Sequence, residues 1–132
     1  MTTLHIAAVC LFDDQQRLLL VRKRHTRMFM LPGGKREAGE APLCALRREL
    51  REELQLDLPP GAFAALGHFQ APAANEADTW VAADIFTARL PHAVTAAAEL
   101  EELAWLEPGA PLHERIAPLL REQVLPALQQ RN

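Results

Sequence analysis

Residues 47–56 read RRELREELQL and set three carboxylates, Glu49, Glu52 and Glu53, within about one turn of a helix. Side chains three or four apart on a helix are neighbours, and like charges there destabilise it by roughly 0.2–0.5 kcal/mol a pair. Arg48 lies four residues before Glu52 and can neutralise part of the cluster, whereas Glu49 and Glu53, also four apart, repel. Either arginines inside the stretch balance these charges, or a cation from outside does.

The stretch belongs to a longer unit. Leu43, Leu46, Leu50 and Leu54 recur at helical spacing and predict a helix over about 41–55 with one buried face, which "LPPG" (58–61) ends. Upstream, "MLPGGKREAGEAP" (30–42) is a loop rich in glycine and proline, with Pro42 suited to a first helical turn. Gly33 and Gly34 can adopt backbone angles closed to other residues and expose carbonyls or amides beside the helix. Several carboxylates plus a backbone carbonyl make an oxygen-rich donor set. Such a set suits Mg²⁺ or Mn²⁺, ions that keep waters and bridge to substrate phosphates. Bound there, the ion would also relieve the repulsion between the glutamates.

Around this unit the chain reads as strands. "LHIAAVCLF" (4–12) is apolar enough for a buried strand, and "LLLVRKR" (18–24) is a second that ends in basic residues. "AFAALGHFQAP" (62–72), "TWVAADIFTARL" (79–90) and "ELAWLEP" (102–108) are three more, and 112–129 is a closing amphipathic helix. This order predicts one α+β or mixed α/β domain over 1–132, a sheet with helices on opposite faces.

With 49% apolar and 23% charged residues the chain has the balance of a soluble globular domain, and no apolar run approaches the roughly 20 residues of a membrane span. A net charge of −3 argues against a stable nucleic-acid footprint. Cys10 and Cys44 match no metal or redox spacing and are expected as buried reduced thiols. Together with an N-terminus unlike a signal peptide, they predict a cytoplasmic protein, monomeric or homodimeric, with a small phosphorylated partner.

Gly34, five residues, Glu40, seven residues, then Arg48-Glu49-Leu50-Arg51-Glu52-Glu53-Leu54-Gln55-Leu56 resembles the signature box of the Nudix hydrolases. Every fixed position of that box is met but one, and the flanking strand order is consistent over nearly the whole chain. The resemblance implies an α/β/α sandwich in which the box forms a loop–helix–loop, with a C-terminal helix. It implies metal-dependent hydrolysis of a nucleoside diphosphate linked to another group, by water attack on phosphorus. On these positions Glu49, Glu52 and Glu53 would hold the metal with the carbonyl of Gly33. Arg48 would orient Glu49 or its neighbours, and Glu40 would support the site from the loop side. The departure is Gln55 where the family has Gly, at a helix end where a left-handed backbone is common. Gln in that conformation costs on the order of 1 kcal/mol.

The substrate is less legible. Enzymes similar to this one often place an arginine at the end of the second strand against a substrate phosphate. Arg22 is the better positional match and Arg24 the other, with Gly34 and Lys35 of the loop also expected at the substrate. The chain has no tyrosine, so the residue that marks many dinucleoside-polyphosphate hydrolases is missing. Pro72 resembles the proline associated with ADP-ribose pyrophosphatases, but it is one proline among ten and a plain turn explains it better. The short chain and "PGGK" loop resemble enzymes that clear oxidised dGTP, but their base-reading asparagine has no clear equivalent in "LHERIAPLL" (112–120). His68, His92 and His113 are isolated, and Trp80 and Phe69 are expected to pack. A nucleotide or nucleotide-sugar is expected, such as ADP-ribose or an oxidised dNTP. For the general base, "AAAELEELAW" (96–105) offers Glu99 first and Glu102 second, on a loop free to carry a carboxylate over the box helix. A catalytically silent nucleotide-binding module, or an interaction domain whose acidic helix docks a basic partner, are readings the intact carboxylate set argues against.

Overall fold

The structure is a computed structural model and describes residues 2–74, 76–111 and 115–130. In chain order it forms β1 (Thr2–Phe12), β2 (Leu18–Lys23), β3 (Gly33–Lys35), α1 (Pro42–Leu54), β4 (Ala64–Pro72), β5 (Thr79–Arg89) and β6 (Leu100–Leu106). A π-helical stretch (Leu119–Val124) then runs into α2 (Leu125–Gln130). The sheet order is β4-β5-β1-β2-β6, with β3 also paired to β1. β1 runs parallel to β5 along its whole length, from Thr2 beside Thr79 to Phe12 beside Arg89, and the other pairings are antiparallel.

The expected sandwich is present. Ala45, Leu46, Leu50 and Leu54 of α1 pack on Ala7, Val9, Leu11, Leu19 and Val21. On the other sheet face Leu119, Leu120 and Val124 pack on Ala8, Cys10, Leu18, Leu20 and Ile85. Alternate residues of β1 and β2 therefore serve two cores, as the two-residue period of a strand requires. No helix among the described residues is long and apolar enough to cross a membrane.

Three local features differ from the sequence reading. The glycine loop contains a strand, β3, because Gly33 and Gly34 lie flat against Ala8 and Ala7 of β1. A Cβ on Gly33 would sit 2.2 Å from the Ala7 carbonyl oxygen, and its φ is +145°, so no side chain fits there. The closing helix starts at about 118 rather than 112; Ile116 instead bridges to Phe29, and His113 lies outside the described residues. Pro126 cannot donate to the carbonyl four residues back, and the widened π turns immediately precede it. Cys10 is buried as expected, but Cys44 is exposed: it lies beside the leucine face of α1 rather than on it.

Candidate active site

α1 starts at Pro42, whose fixed φ suits a first turn, and it ends at Gln55 in the left-handed conformation, φ 53° and ψ 36°. The strain expected of Gln at this position is therefore present. It is held by the Leu56 N–H, which donates to the Leu50 carbonyl at 3.1 Å, and by full burial of Leu56. Gln55 thus takes the left-handed exit expected of Gly, and the carboxylates of the helix stay in place.

Arg48 answers most of the charge problem. Its Nε and Nη2 donate to the two oxygens of Glu40 at 3.0 and 2.9 Å, a fork-on-fork pair. Nη1 donates to Glu49 Oε1 at 3.1 Å and lies 3.6 Å from Glu52, and Nη2 also donates to the Lys35 carbonyl. The guanidinium holds the Glu40 carboxyl down at about 2, helped by the Glu37 N–H, and its own pKa is raised by the same hydrogen bonds. One arginine thus ties the glycine loop to the helix and shares its single positive charge among Glu40, Glu49 and half-exposed Glu52.

Glu53 is left out of that arrangement. It is only 4% exposed, and its Oε1 is buried with no hydrogen-bond partner among the described residues. Burial first, and then the neighbouring Glu49 carboxylate, push its pKa up to about 8; Lys23 and the Gly33 N–H pull the other way. A buried acceptor without a donor costs free energy unless a cation or proton meets it. Glu49 presses against Gly34, where a Cβ would lie 2.5 Å from its Cδ, so the backbone itself makes room for this carboxylate. Two adjoining carboxylates with an unsatisfied buried oxygen fit a hard divalent cation. Among the described residues no three His, Cys, Asp or Glu side chains are gathered as a metal-holding group, because Glu52 is drawn to Arg48. Of the three glutamates expected to hold a metal, Glu49 and Glu53 adjoin one another. Gly33 reaches Glu53 through its N–H, whereas the sequence reading concerned its carbonyl.

The residues outside the box are arranged differently from their order in the sequence. Arg22 donates to Glu102 at 3.1 Å and to the Thr26 carbonyl, and Arg24 lies 3.6 Å from Glu101. The arginines read as phosphate ligands are therefore paired with Glu102, the second base candidate, and with its neighbour Glu101. Strand alternation places Leu19 and Val21 on the α1 face, so Arg22 lies on the opposite face and Lys23 on the α1 side, where its charge acts on Glu53. Lys23 was missed, although the period of the strand marks it. Glu99 is exposed, but its loop is fixed: Ala97 N–H donates to the Glu53 carbonyl, and Arg24 N–H donates to the Glu99 carbonyl, both at 2.8 Å. His68 is not isolated, since its Nδ1 lies 3.1 Å from Asp84 Oδ1. Trp80 stands 39% exposed, while Phe69 packs into the core opposite α1.

The family model that matches is the NUDIX domain, over residues 1–128. Among solved structures, the MutT protein from Methanosarcina mazei superposes with a TM-score of 0.80 at 19% identity, covering 99% of this chain and 96% of that one. A MutT/nudix family protein from Enterococcus faecalis gives 0.78 at 18% identity, covering 98% of this chain, which spans 62% of that protein. The NUDIX domain of Shewanella oneidensis NrtR, solved with ADP ribose, gives 0.74 at 20% identity over 99% of this chain and 89% of that one. No individually curated protein matches the sequence. A NUDIX-domain match over almost the entire length, on a chain that carries Gly34, Glu40, Arg48, Glu49, Glu52 and Glu53 at the box positions, makes this protein a member of the Nudix hydrolase family.

Proposed function

We propose that the protein is a divalent-metal-dependent pyrophosphohydrolase that cleaves a nucleoside diphosphate linked to another moiety, a nucleotide or nucleotide-sugar such as ADP-ribose or an oxidised dNTP. The observation that carries this reading is the buried, unpartnered Oε1 of Glu53 beside Glu49. Glu49, Glu52 and Glu53 would hold Mg²⁺ or Mn²⁺, with Gly33 contributing its carbonyl. When bound, the ion supplies positive charge to the phosphoryl oxygens and acidifies water.

The chain's own residues do the rest. Arg48 keeps Glu49 in place and holds the loop that carries Lys35 against the helix. Lys35 and Gly34 remain the proposed contacts to substrate phosphates, with Arg24 on release from Glu101; Arg22, on the opposite sheet face and held by Glu102 and the Thr26 carbonyl, is set apart from them. Lys23 adds a positive charge from the α1 side of the sheet. Water adds to phosphorus, the bridging P–O bond breaks, and the water proton passes to a carboxylate. Glu99 is proposed as that base. The Ala97–Glu53 hydrogen bond supports it by docking its loop on the last turn of α1.

Phosphate release from nucleoside di- and triphosphates and nucleotide-sugars tests the reading, with a phosphatase added to liberate phosphate from monophosphate products. Turnover should require Mg²⁺ or Mn²⁺ and fall at least about 10²-fold in Glu52→Gln and in Glu53→Gln, the scale of losing a major electrostatic contact. Full activity in EDTA, or in both variants, is incompatible with it.

A further inference from the structure

The sheet continues past α1 on the face that carries Glu49. Strand register sets His68, Asp84, Ala7 and Gly34 side by side on β4, β5, β1 and β3. Ala7 lies in the core beneath α1, so this row faces the α1 side. Three strand spacings, roughly 14 Å, separate the backbones of His68 and Gly34. Asp84 sits between them and is engaged on both oxygens: Oδ1 is 3.1 Å from His68 Nδ1, and Oδ2 is 3.7 Å from Arg36 Nη1. Arg36 Nε in turn donates to the Glu40 carbonyl, which joins the row to the box loop. The next rows on this face hold exposed Gln70 opposite Ala82, then Trp80 between Thr3 and Pro72.

A surface ion pair that fastens the box loop to the sheet accounts for Arg36 and Asp84, and such pairs contribute little. It does not account for the histidine. His68 is half-exposed on an edge strand, its ring is held at Nδ1, and Nε2 has no partner among the described residues. Nor does it account for a bare indole two rows further along. A half-exposed tryptophan beside small residues and a free amide is a surface on which a flat, hydrogen-bonding group stacks.

We propose that the nucleoside half of the substrate lies along this strip, with His68, held by Asp84, as a specificity-determining residue that hydrogen-bonds it and Trp80 stacking on its base. The proposal rests on the hydrolase reading above for the placement of the diphosphate beside Glu49, and adds where the remainder of the substrate is recognised.

Binding of nucleoside monophosphates tests it without turnover, because they lack the bond that is cleaved. The chain has two tryptophans, so Trp105→Phe leaves Trp80 as the sole indole. In that background with Mg²⁺, at least one of AMP, GMP, CMP and UMP should quench Trp80 emission. His68→Ala should weaken that binding about tenfold, the scale of one good hydrogen bond to a charged or strongly polar group. His68→Asn should restore part of it, and inorganic pyrophosphate, followed by calorimetry, should bind all three proteins alike. Because His68 is half-exposed, His68→Ala should melt within about 2 °C of the parent. Absence of quenching by all four nucleotides overturns the proposal. So does unchanged nucleotide affinity in His68→Ala, or an equal loss for nucleotide and pyrophosphate. Failure of the hydrolase reading shows separately, as absence of turnover.

Discussion

Glu49 rests against Gly34 so closely that the hydrogen of residue 34 takes the place of any side chain: a Cβ there would meet the Glu49 carboxylate at 2.5–2.8 Å. The neighbouring Gly33 is confined by backbone instead: a Cβ there would lie 2.2 Å from the carbonyl oxygen of Ala7, and its φ is +145°. The two glycines therefore fail in different ways. Gly34→Ala displaces only the end of a flexible carboxylate, and its stability should stay within about 1 kcal/mol of the parent. Its kcat should nevertheless fall at least about tenfold, because Glu49 is moved from Glu53. Gly33→Ala has to move strand β1, and should lose about 2 kcal/mol or more, a drop of roughly 5–10 °C in Tm. Melting and steady-state kinetics on the pair check this; equal losses of stability in both would contradict it.

The same contrast shows what a sequence carries. Glu49, Glu52 and Glu53 are legible because one helix sets their spacing, and Leu46, Leu50 and Leu54 say which way that helix faces. Strand β3 is not, since Gly-Gly-Lys has no pattern of its own and pairs only because β1 lies beneath it. His68 and Asp84 are sixteen residues apart and meet only through the register of β4 on β5, which is shifted by a bulge between Ala65 and Gly67. Arg22 and Lys23 could have been separated by strand alternation. The pairing of Arg22 with Glu102 could not, because it requires knowing that β2 and β6 are neighbours.

Gln55 carries a strain that can be removed. It holds the left-handed position at the end of α1, where Gly pays no steric penalty. Gln55→Gly should raise stability by about 1 kcal/mol at most, the left-handed cost less the backbone entropy of Gly. A rise of up to roughly 5 °C in Tm with unchanged kcat is expected. A fall in Tm would show that the Gln side chain contributes contacts that outweigh its backbone.

Glu53 makes the metal-free protein sensitive to pH in an unusual direction. Its carboxyl is raised from the ordinary 4.5 to about 8 by burial and by Glu49. Between those values the folded state keeps a proton that the unfolded chain has released, so stability declines as pH rises. The contribution is fully present below about 4.5 and lost as pH passes through about 8. Glu40 acts in the opposite sense and elsewhere: held at about 2, it contributes stability above 4.5 that is lost only on acidification. In EDTA the Tm should fall by roughly 5 °C or more from pH 5 to 8, and Glu53→Gln should flatten that slope. Saturating Mg²⁺ should restore stability most at the alkaline end, where the carboxylate is deprotonated. Parallel profiles for parent and variant would refute the shift.

Arg48 is a positioning residue whose fork matters as much as its charge. Arg48→Lys keeps one positive charge but cannot hold both oxygens of Glu40 while also reaching Glu49 and the Lys35 carbonyl. Metal affinity or activity should fall 10–100-fold, the usual loss when a partner that orients metal ligands is removed. Calorimetric titration with Mn²⁺ separates this from a folding defect. Retention of parental Mn²⁺ affinity and kcat would mean that charge alone suffices.

The acidic residues at the start of β6 and just before it are no longer equivalent once their partners are known. Glu102 is bound to Arg22, its cross-strand partner, and Glu101 lies beside Arg24 at the register shift that follows. Glu99 is exposed, in a loop whose Ala97 N–H grips the last turn of α1 at the Glu53 carbonyl. If Glu99 takes the proton from water, Glu99→Gln should lose about 10²-fold or more in kcat at saturating metal, the usual scale for acid–base catalysis. Glu101→Gln should then act chiefly on KM, by freeing Arg24 for substrate phosphates, and Glu102→Gln, whose partner Arg22 lies on the opposite sheet face, should leave kcat and KM little changed. Parental kcat in all three would move the base into the box. Glu49, beside the unpartnered oxygen of Glu53, would take that role.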